Sequence, residues 1–121
     1  MDYGWHSLGG VASAWFAAKH PQIRAVVFWA SYPADDRLLG SGIKMLSIYG
    51  TQDGGLDNGK KIEEHKRYQP ADTVFHIIQG GNHGQFADYG SQPGDKPALI
   101  SQEEQFMETA QATVDFLKSL Q

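Results

Sequence analysis

Three short apolar runs, separated by turns and polar segments, constrain the fold of this chain more than any other feature. They cover residues 25–29, 45–49 and 73–78, and β-branched or aromatic residues are frequent in them. The first run is continuously apolar, which is typical of a strand covered on both faces of a sheet. Segments with helical spacing lie between the runs. We therefore predict an α/β fold, with a small parallel sheet of about three strands flanked by helices.

Helical patterns fill the remaining segments. Residues 8–19 carry apolar side chains at helical spacing and end before Pro21, and residues 58–68 form a Lys/Glu-rich surface helix anchored by Ile62. A glycine-rich loop follows over residues 82–97, and a capping box of Ser101 and Glu104 then begins the last helix. The apolar side of this amphipathic helix is predicted to consist of Phe106, Ala110, Val114, Leu117 and Leu120.

Length and composition narrow the class of protein. The 121 residues suit a single domain over residues 1–121. The net charge is -4 and no Lys/Arg run occurs, so no nucleic-acid partner is expected; the absence of cysteine excludes disulfides and a cysteine nucleophile. No signal peptide is visible, and the apolar run 25–30 is too short to span a membrane. We expect a soluble, cytoplasmic protein with no membrane partner.

The first candidate for chemistry is Ser7, within the segment Trp-His-Ser-Leu-Gly-Gly directly before the first predicted helix. A serine on a tight strand-to-helix turn exposes its hydroxyl, and the small residues beside it let the helix pack closely. The amide of Leu8 would then face the site as an oxyanion donor, helped by the helix N-terminus. The alternative is that Ser7 only caps the helix.

Asp53 and His83 follow the ends of the second and third predicted strands. The carboxyl ends of parallel strands border the crevice where such sheets hold their sites. A carboxylate there can orient an imidazole, and glycines on both sides of His83 suit a general base. The alternatives are that Asp-Gly is only a turn and that His83 is a loop histidine without a role. Asp35, Asp36 and Asp57 lie farther from a strand end and are weaker candidates for the acid.

The order serine, acid, histidine is that of α/β-hydrolases and differs from the orders of chymotrypsin and subtilisin. The segment around Ser7 resembles their nucleophile elbow, G-x-S-x-G, with Trp5 in place of the first glycine. Residues 48–54, 80–90 and 92–95 resemble the dienelactone-hydrolase and carboxylesterase branch of this superfamily. The resemblance runs from the elbow to the last helix. It implies Ser7 as nucleophile, His83 as general base and then acid, and Asp53 as the partner of the histidine.

The resemblance also implies that the chain is the C-terminal part of a hydrolase fold. That fold usually has eight strands with the elbow after the fifth, and residues 1–5 can supply only a stub of that strand. The strand at 25–30 would then expose an edge, so we expect self-association into a homo-oligomer. The usual loop for the second oxyanion donor is missing, which costs about 100- to 1000-fold in rate. A partner chain or the loop near Gly81 could replace that donor.

These features predict a serine carboxylesterase that cleaves short-chain esters through an acyl-enzyme, with no cofactor and no metal. Its partner would be a small-molecule ester, and the residues expected to contact it are Trp5, His6, Phe86 and Tyr89. The alternative is a catalytically weak or inactive remnant that acts as an assembly module, which the missing strands and Trp5 favour. A metal site of His83 with Asp88 or Asp95 has no supporting ligand spacing.

Overall fold

The computed structural model describes residues 19–20, 23–86 and 94–120. Within these ranges, three parallel strands form one sheet in the order β1-β2-β3: β1 covers Ala25–Trp29, β2 covers Lys44–Gly50 and β3 covers Val74–Ile78. Their positions and parallel orientation confirm the prediction, and each strand begins and ends within one residue of the predicted limits. The predicted first helix lies outside the described residues, apart from Lys19.

The central strand, β2, is buried from Met45 to Gly50, as expected for a strand that has a neighbour on each side and both faces covered. Two apolar clusters surround the sheet. The smaller cluster consists of Val26, Phe28, Leu38, Ile43 and Met45. The larger cluster consists of Ala30, Leu46, Ile48, Tyr49, Leu56, Ile62, Ile78, Phe86 and Phe116. Packing of the two clusters thus fixes the sheet, and the loops that follow its strands extend from this packed core.

The helix predicted over residues 58–68 is shorter than expected. Helix α1 covers only Lys60–Glu64, and a separate 3-10 turn follows at Lys66–Tyr68. Asp57, Asn58 and Gly59 have φ angles of 52°, 57° and 95°, and this left-handed backbone prevents a right-handed helix from beginning earlier. The predicted anchor is confirmed, because Ile62 is fully buried.

Helix α2 covers Gln102–Ser119, and its start is confirmed. The Ser101 hydroxyl oxygen accepts a hydrogen bond from the Glu104 backbone N–H at 3.1 Å and lies 3.2 Å from the Glu104 carboxylate. None of the helices in the described ranges is long and apolar enough to cross a membrane.

The prediction that the apolar side of α2 is its buried side is wrong. All five of its residues, Phe106, Ala110, Val114, Leu117 and Leu120, are exposed. The buried residues of the helix are instead Gln105, Thr109 and Phe116. Phe116 packs into the larger cluster, and Gln105 forms hydrogen bonds to the loop after β3, so these contacts fix the rotation of the helix.

Two phenylalanines on α2 test this orientation. We expect Phe116→Ala to lower the free energy of unfolding by about 3–5 kcal/mol, because it empties a buried site. Phe106→Ala should cost less than about 1 kcal/mol, since Phe106 is 43% exposed. Urea denaturation of the two variants measures the difference. Equal losses, or a larger loss for Phe106→Ala, would contradict the described orientation.

Candidate active site

The loops that follow β2 and β3 bring two of the three predicted catalytic residues together. Asp53 comes three residues after Gly50, and His83 comes five residues after Ile78. The Nδ1 atom of His83 lies 2.8 Å from the Oδ2 atom of Asp53. The other predicted site residues, Ser7, Leu8, Trp5, His6 and Tyr89, lie outside the described residues.

Asp53 is completely buried, and both of its carboxylate oxygens have partners. Oδ1 accepts the backbone N–H of Leu56 at 2.9 Å, and Oδ2 accepts the Nδ1–H of His83. This arrangement keeps the proton of a neutral imidazole on Nδ1 and its lone pair on Nε2. Of the weaker candidates for the acid, Asp35 pairs with Arg37 at 2.7 Å and Asp57 is exposed.

The two loops are joined directly through their backbones. The Gln52 N–H donates to the Gly81 carbonyl at 2.8 Å, and the Thr51 N–H donates to the Ile78 carbonyl at 3.1 Å. In return, the Gly80 N–H donates to the Thr51 hydroxyl at 2.9 Å. The loop that carries Asp53 and the loop that carries His83 therefore form one hydrogen-bonded unit.

Glycine is required where these loops touch. A Cβ atom on Gly50 would lie 2.2 Å from the Gly81 carbonyl oxygen, and one on Gly54 would lie 2.0 Å from the Gly94 carbonyl oxygen. Both contacts are with backbone and leave no room for a side chain. The close approach of the two backbones thus explains why Gly50 and Gly54 lie on either side of the turn that carries Asp53, which we call the acidic turn.

Asp95 is a site residue whose role the sequence analysis missed. Its Oδ1 atom lies 3.2 Å from the backbone nitrogens of Gly54 and His83 and 3.0 Å from that of Lys96. Its Oδ2 atom accepts the Gly84 N–H at 2.9 Å. The sequence analysis placed Asp95 in the resembling segment 92–95 and in an unsupported metal site with His83, whereas its carboxylate faces backbone N–H groups. Over the described ranges, no group of three or more potential ligands is arranged to hold a metal ion.

Gln105 is the second missed residue. It lies on α2 and supports the loop of residues 80–86 that carries His83, which we call the histidine loop. Its side chain is fully buried; Oε1 accepts from the Asn82 N–H at 3.1 Å and from Gln85 Nε2 at 2.9 Å, and Nε2 donates to the Asn82 carbonyl at 2.9 Å. A glutamine inside an amphipathic pattern carries no sequence signal for this role. Only the position of the loop against α2 reveals it.

Every backbone N–H of residues 80–86 already has an acceptor. The donors and acceptors are Gly80 to Thr51 Oγ1, Gly81 to the Ile78 carbonyl, Asn82 to Gln105 Oε1, His83 and Gly84 to Asp95, Gln85 to Asn82 Oδ1, and Phe86 to the His83 carbonyl. The loop near Gly81 was one alternative for the second oxyanion donor. That alternative stays a prediction, and using any amide of residues 80–86 as a donor would break a bond that shapes the loop.

Phe86 closes the histidine loop against the core. It ends a 3-10 turn at Gly84–Phe86, the regular turn within the predicted loop 82–97, and is only 4% exposed in the larger cluster. Its packing anchors the turn that carries His83. The expectation that Phe86 contacts substrate stays a prediction.

Comparison with known proteins places this arrangement in a family. The model of the alpha/beta hydrolase family matches residues 2–107, which is most of the chain. The chain therefore belongs to the alpha/beta hydrolase family, as the resemblance of its sequence motifs predicted.

One solved structure is similar to this fold. It is a protein from Klebsiella pneumoniae subsp. pneumoniae MGH 78578, provisionally assigned as a dienelactone hydrolase, with a TM-score of 0.52 and 20% sequence identity. The match covers 86% of this chain and 47% of the other, so the chain spans about half the length of that protein. This likeness confirms an α/β-hydrolase fold, whose described part contains a parallel sheet of three strands. No curated protein matches the chain significantly.

The support that Gln105 gives to the histidine loop can be measured. Gln105→Ala removes the partners of the Asn82 N–H and carbonyl, and we expect it to lower the free energy of unfolding by about 1–3 kcal/mol for each group left unsatisfied. The matched control is Gln111→Ala, an exposed glutamine on the same helix, which should change stability by less than about 0.5 kcal/mol. Similar losses in the two variants by urea denaturation would show that Gln105 does not support the loop.

Proposed function

We propose that this chain is part of a serine hydrolase that cleaves short-chain carboxylic esters through an acyl-enzyme, with Ser7 as nucleophile, His83 as general base and Asp53 as its acidic partner. The observation that carries the proposal is the 2.8 Å contact between His83 Nδ1 and the fully buried carboxylate of Asp53. A buried carboxylate that orients an imidazole is the arrangement such catalysis requires. Membership of the alpha/beta hydrolase family and the position of Ser7 in the sequence support the same function.

The reaction proceeds in two halves. In the first, the Ser7 hydroxyl attacks the ester carbonyl while His83 Nε2 takes its proton; the bond to the alcohol then breaks, and His83 returns the proton to the leaving oxygen. In the second, water attacks the acyl-enzyme, His83 takes a proton from it, and the carboxylic acid leaves as Ser7 regains its proton. Asp53 stabilises the imidazolium that forms in each half.

The buried environment of Asp53 suits this role. Its two oxygens already accept hydrogen bonds from Leu56 and His83, so the carboxylate and the imidazole need little rearrangement when charge develops on the ring. The surrounding loops are held by backbone bonds and by contacts between glycines, which leaves the pair little freedom to separate. Rigidity of this kind favours catalysis, because the acid–base pair is preorganised.

One donor of the proposed oxyanion hole is assigned. The Leu8 N–H is the proposed first donor, at the start of the predicted helix that follows Ser7. The amides of residues 80–86 all have acceptors, so we propose that a second donor comes from another segment. With one donor alone the rate would be lower by about 100- to 1000-fold. We propose Trp5, His6, Phe86 and Tyr89 as substrate contacts, and short acyl groups because no lid-like insertion is evident in the sequence.

The exposed apolar residues of α2 favour a second candidate function, a weakly active or inactive remnant that acts as an assembly module. Phe106, Met107 and Leu117 are 43%, 66% and 48% exposed on this helix. Exposed apolar side chains of this kind can contribute to an interface when they form a continuous patch. Self-association remains a prediction, and the apolar side of α2 is the described surface that supports it.

Hydrolysis of p-nitrophenyl acetate and butyrate distinguishes the two candidates. We expect the chain to release p-nitrophenol above the uncatalysed rate and Ser7→Ala to show only background release. Ser119→Ala replaces an exposed serine at the end of α2 and should retain full activity.

In Asp53→Asn, kcat should fall by up to about 10⁴-fold, because the imidazole loses its preferred tautomer.

Equal hydrolysis by the chain and by Ser7→Ala would contradict the proposed esterase. That result would favour the assembly module, and the molar mass in solution, measured by light scattering, would then decide whether the chain self-associates.

A further inference from the structure

The carboxylate of Asp95 accepts hydrogen bonds from the backbone on both sides of the Asp53–His83 pair. Oδ1 lies 3.2 Å from the nitrogen of Gly54, the residue after Asp53, and 3.2 Å from the nitrogen of His83 itself. Oδ2 lies 2.9 Å from the nitrogen of Gly84, the residue after His83. Asp95 thus bridges the two loops whose side chains form the pair.

This bridge limits how far the two loops can separate. A single oxygen atom bonds both the Gly54 and the His83 nitrogens, so these nitrogens cannot be farther apart than the two bonds together allow. The Asp53 and His83 side chains extend from backbone held in this way. Loss of Asp95 would therefore let His83 move relative to the Asp53 carboxylate.

Asp95 is itself held in place. The Lys96 N–H donates to Oδ1 at 3.0 Å, and the Lys96 carbonyl accepts from Asn82 Nδ2 at 2.8 Å. Gly94 turns the chain with a φ of 81°, and its carbonyl oxygen would lie 2.0 Å from a Cβ atom on Gly54. Two backbone positions without side chains thus allow the loop that carries Asp95 to lie directly against the acidic turn.

We propose that Asp95 is a positioning residue of the site, which holds the His83 imidazole in its hydrogen bond to Asp53 by fixing the backbone of both loops. Its effect on rate rests on the proposed function. Its effect on the His83–Asp53 hydrogen bond does not, and the two effects are measured separately.

Two substitutions remove the hydrogen-bond acceptors of Asp95 in part or completely. Asp95→Asn keeps one acceptor oxygen, but its NH₂ group cannot accept from an N–H donor. Asp95→Ala removes every acceptor. The matched control is Asp115→Asn on the exposed side of α2, whose carboxylate accepts a hydrogen bond from the Gln111 side chain at 2.9 Å.

The direct readout is the His83 Nδ1 proton in the NMR spectrum of ¹⁵N-histidine-labelled chain, assigned by its loss in His83→Gln. A proton shared with a buried carboxylate exchanges slowly with water. We expect at least about 10-fold faster exchange in Asp95→Asn, the factor for one lost charge-assisted hydrogen bond, and no observable signal in Asp95→Ala.

Several outcomes overturn the proposal. These are unchanged exchange in a folded Asp95→Asn variant, an equal change in Asp115→Asn, or no protected His83 proton in the unsubstituted chain. If Asp95→Ala does not fold, Asp95→Asn decides. Where ester hydrolysis is measurable, Asp95→Asn should lower kcat by at least about 10-fold with KM changed less than about 3-fold. A protected proton that responds to Asp95 in a chain without esterase activity supports the positioning role and rejects the proposed function.

Discussion

The site depends on the close contact between the loop after β2 and the loop after β3. Backbone hydrogen bonds join the two loops, and glycines at residues 50 and 54 let them approach to a distance that any side chain would prevent. The hydrogen bond between Asp53 and His83 forms at this junction, in a position where the carboxylate is fully buried. The sheet and α2 hold the junction in place, and the proposed chemistry depends on its rigidity.

The parts of this arrangement that the sequence predicted are those with a local signal. The three strands follow from apolar runs, since a buried parallel strand needs little alternation. Asp53 and His83 could be paired because each follows a strand end, and parallel strands bring their carboxyl ends to one edge. The glycine-rich motifs around both residues resembled a known family, and the family comparison confirmed that resemblance.

The parts that the sequence did not predict depend on contacts with the backbone, which leave no pattern along the chain. Asp95 and Gln105 bind amide and carbonyl groups of the histidine loop, and any polar residue in their segments would have fitted the sequence equally well. The orientation of α2 was missed for a related reason. Its apolar residues outnumber those it buries, while Gln105 and Phe116 determine which side faces the sheet. The late start of α1 reflects the left-handed backbone at Asp57 and Asn58, which neither residue type requires.

The central claim is that His83, oriented by Asp53, activates Ser7. Reaction with a fluorophosphonate tests it most directly, because one covalent event per chain is detected even when turnover is slow. The account predicts one label per chain, located on Ser7 by fragmentation of the labelled peptide, and a labelling rate at least about 100-fold lower in His83→Gln. Labelling at another residue, no labelling, or an equal rate in His83→Gln would contradict it.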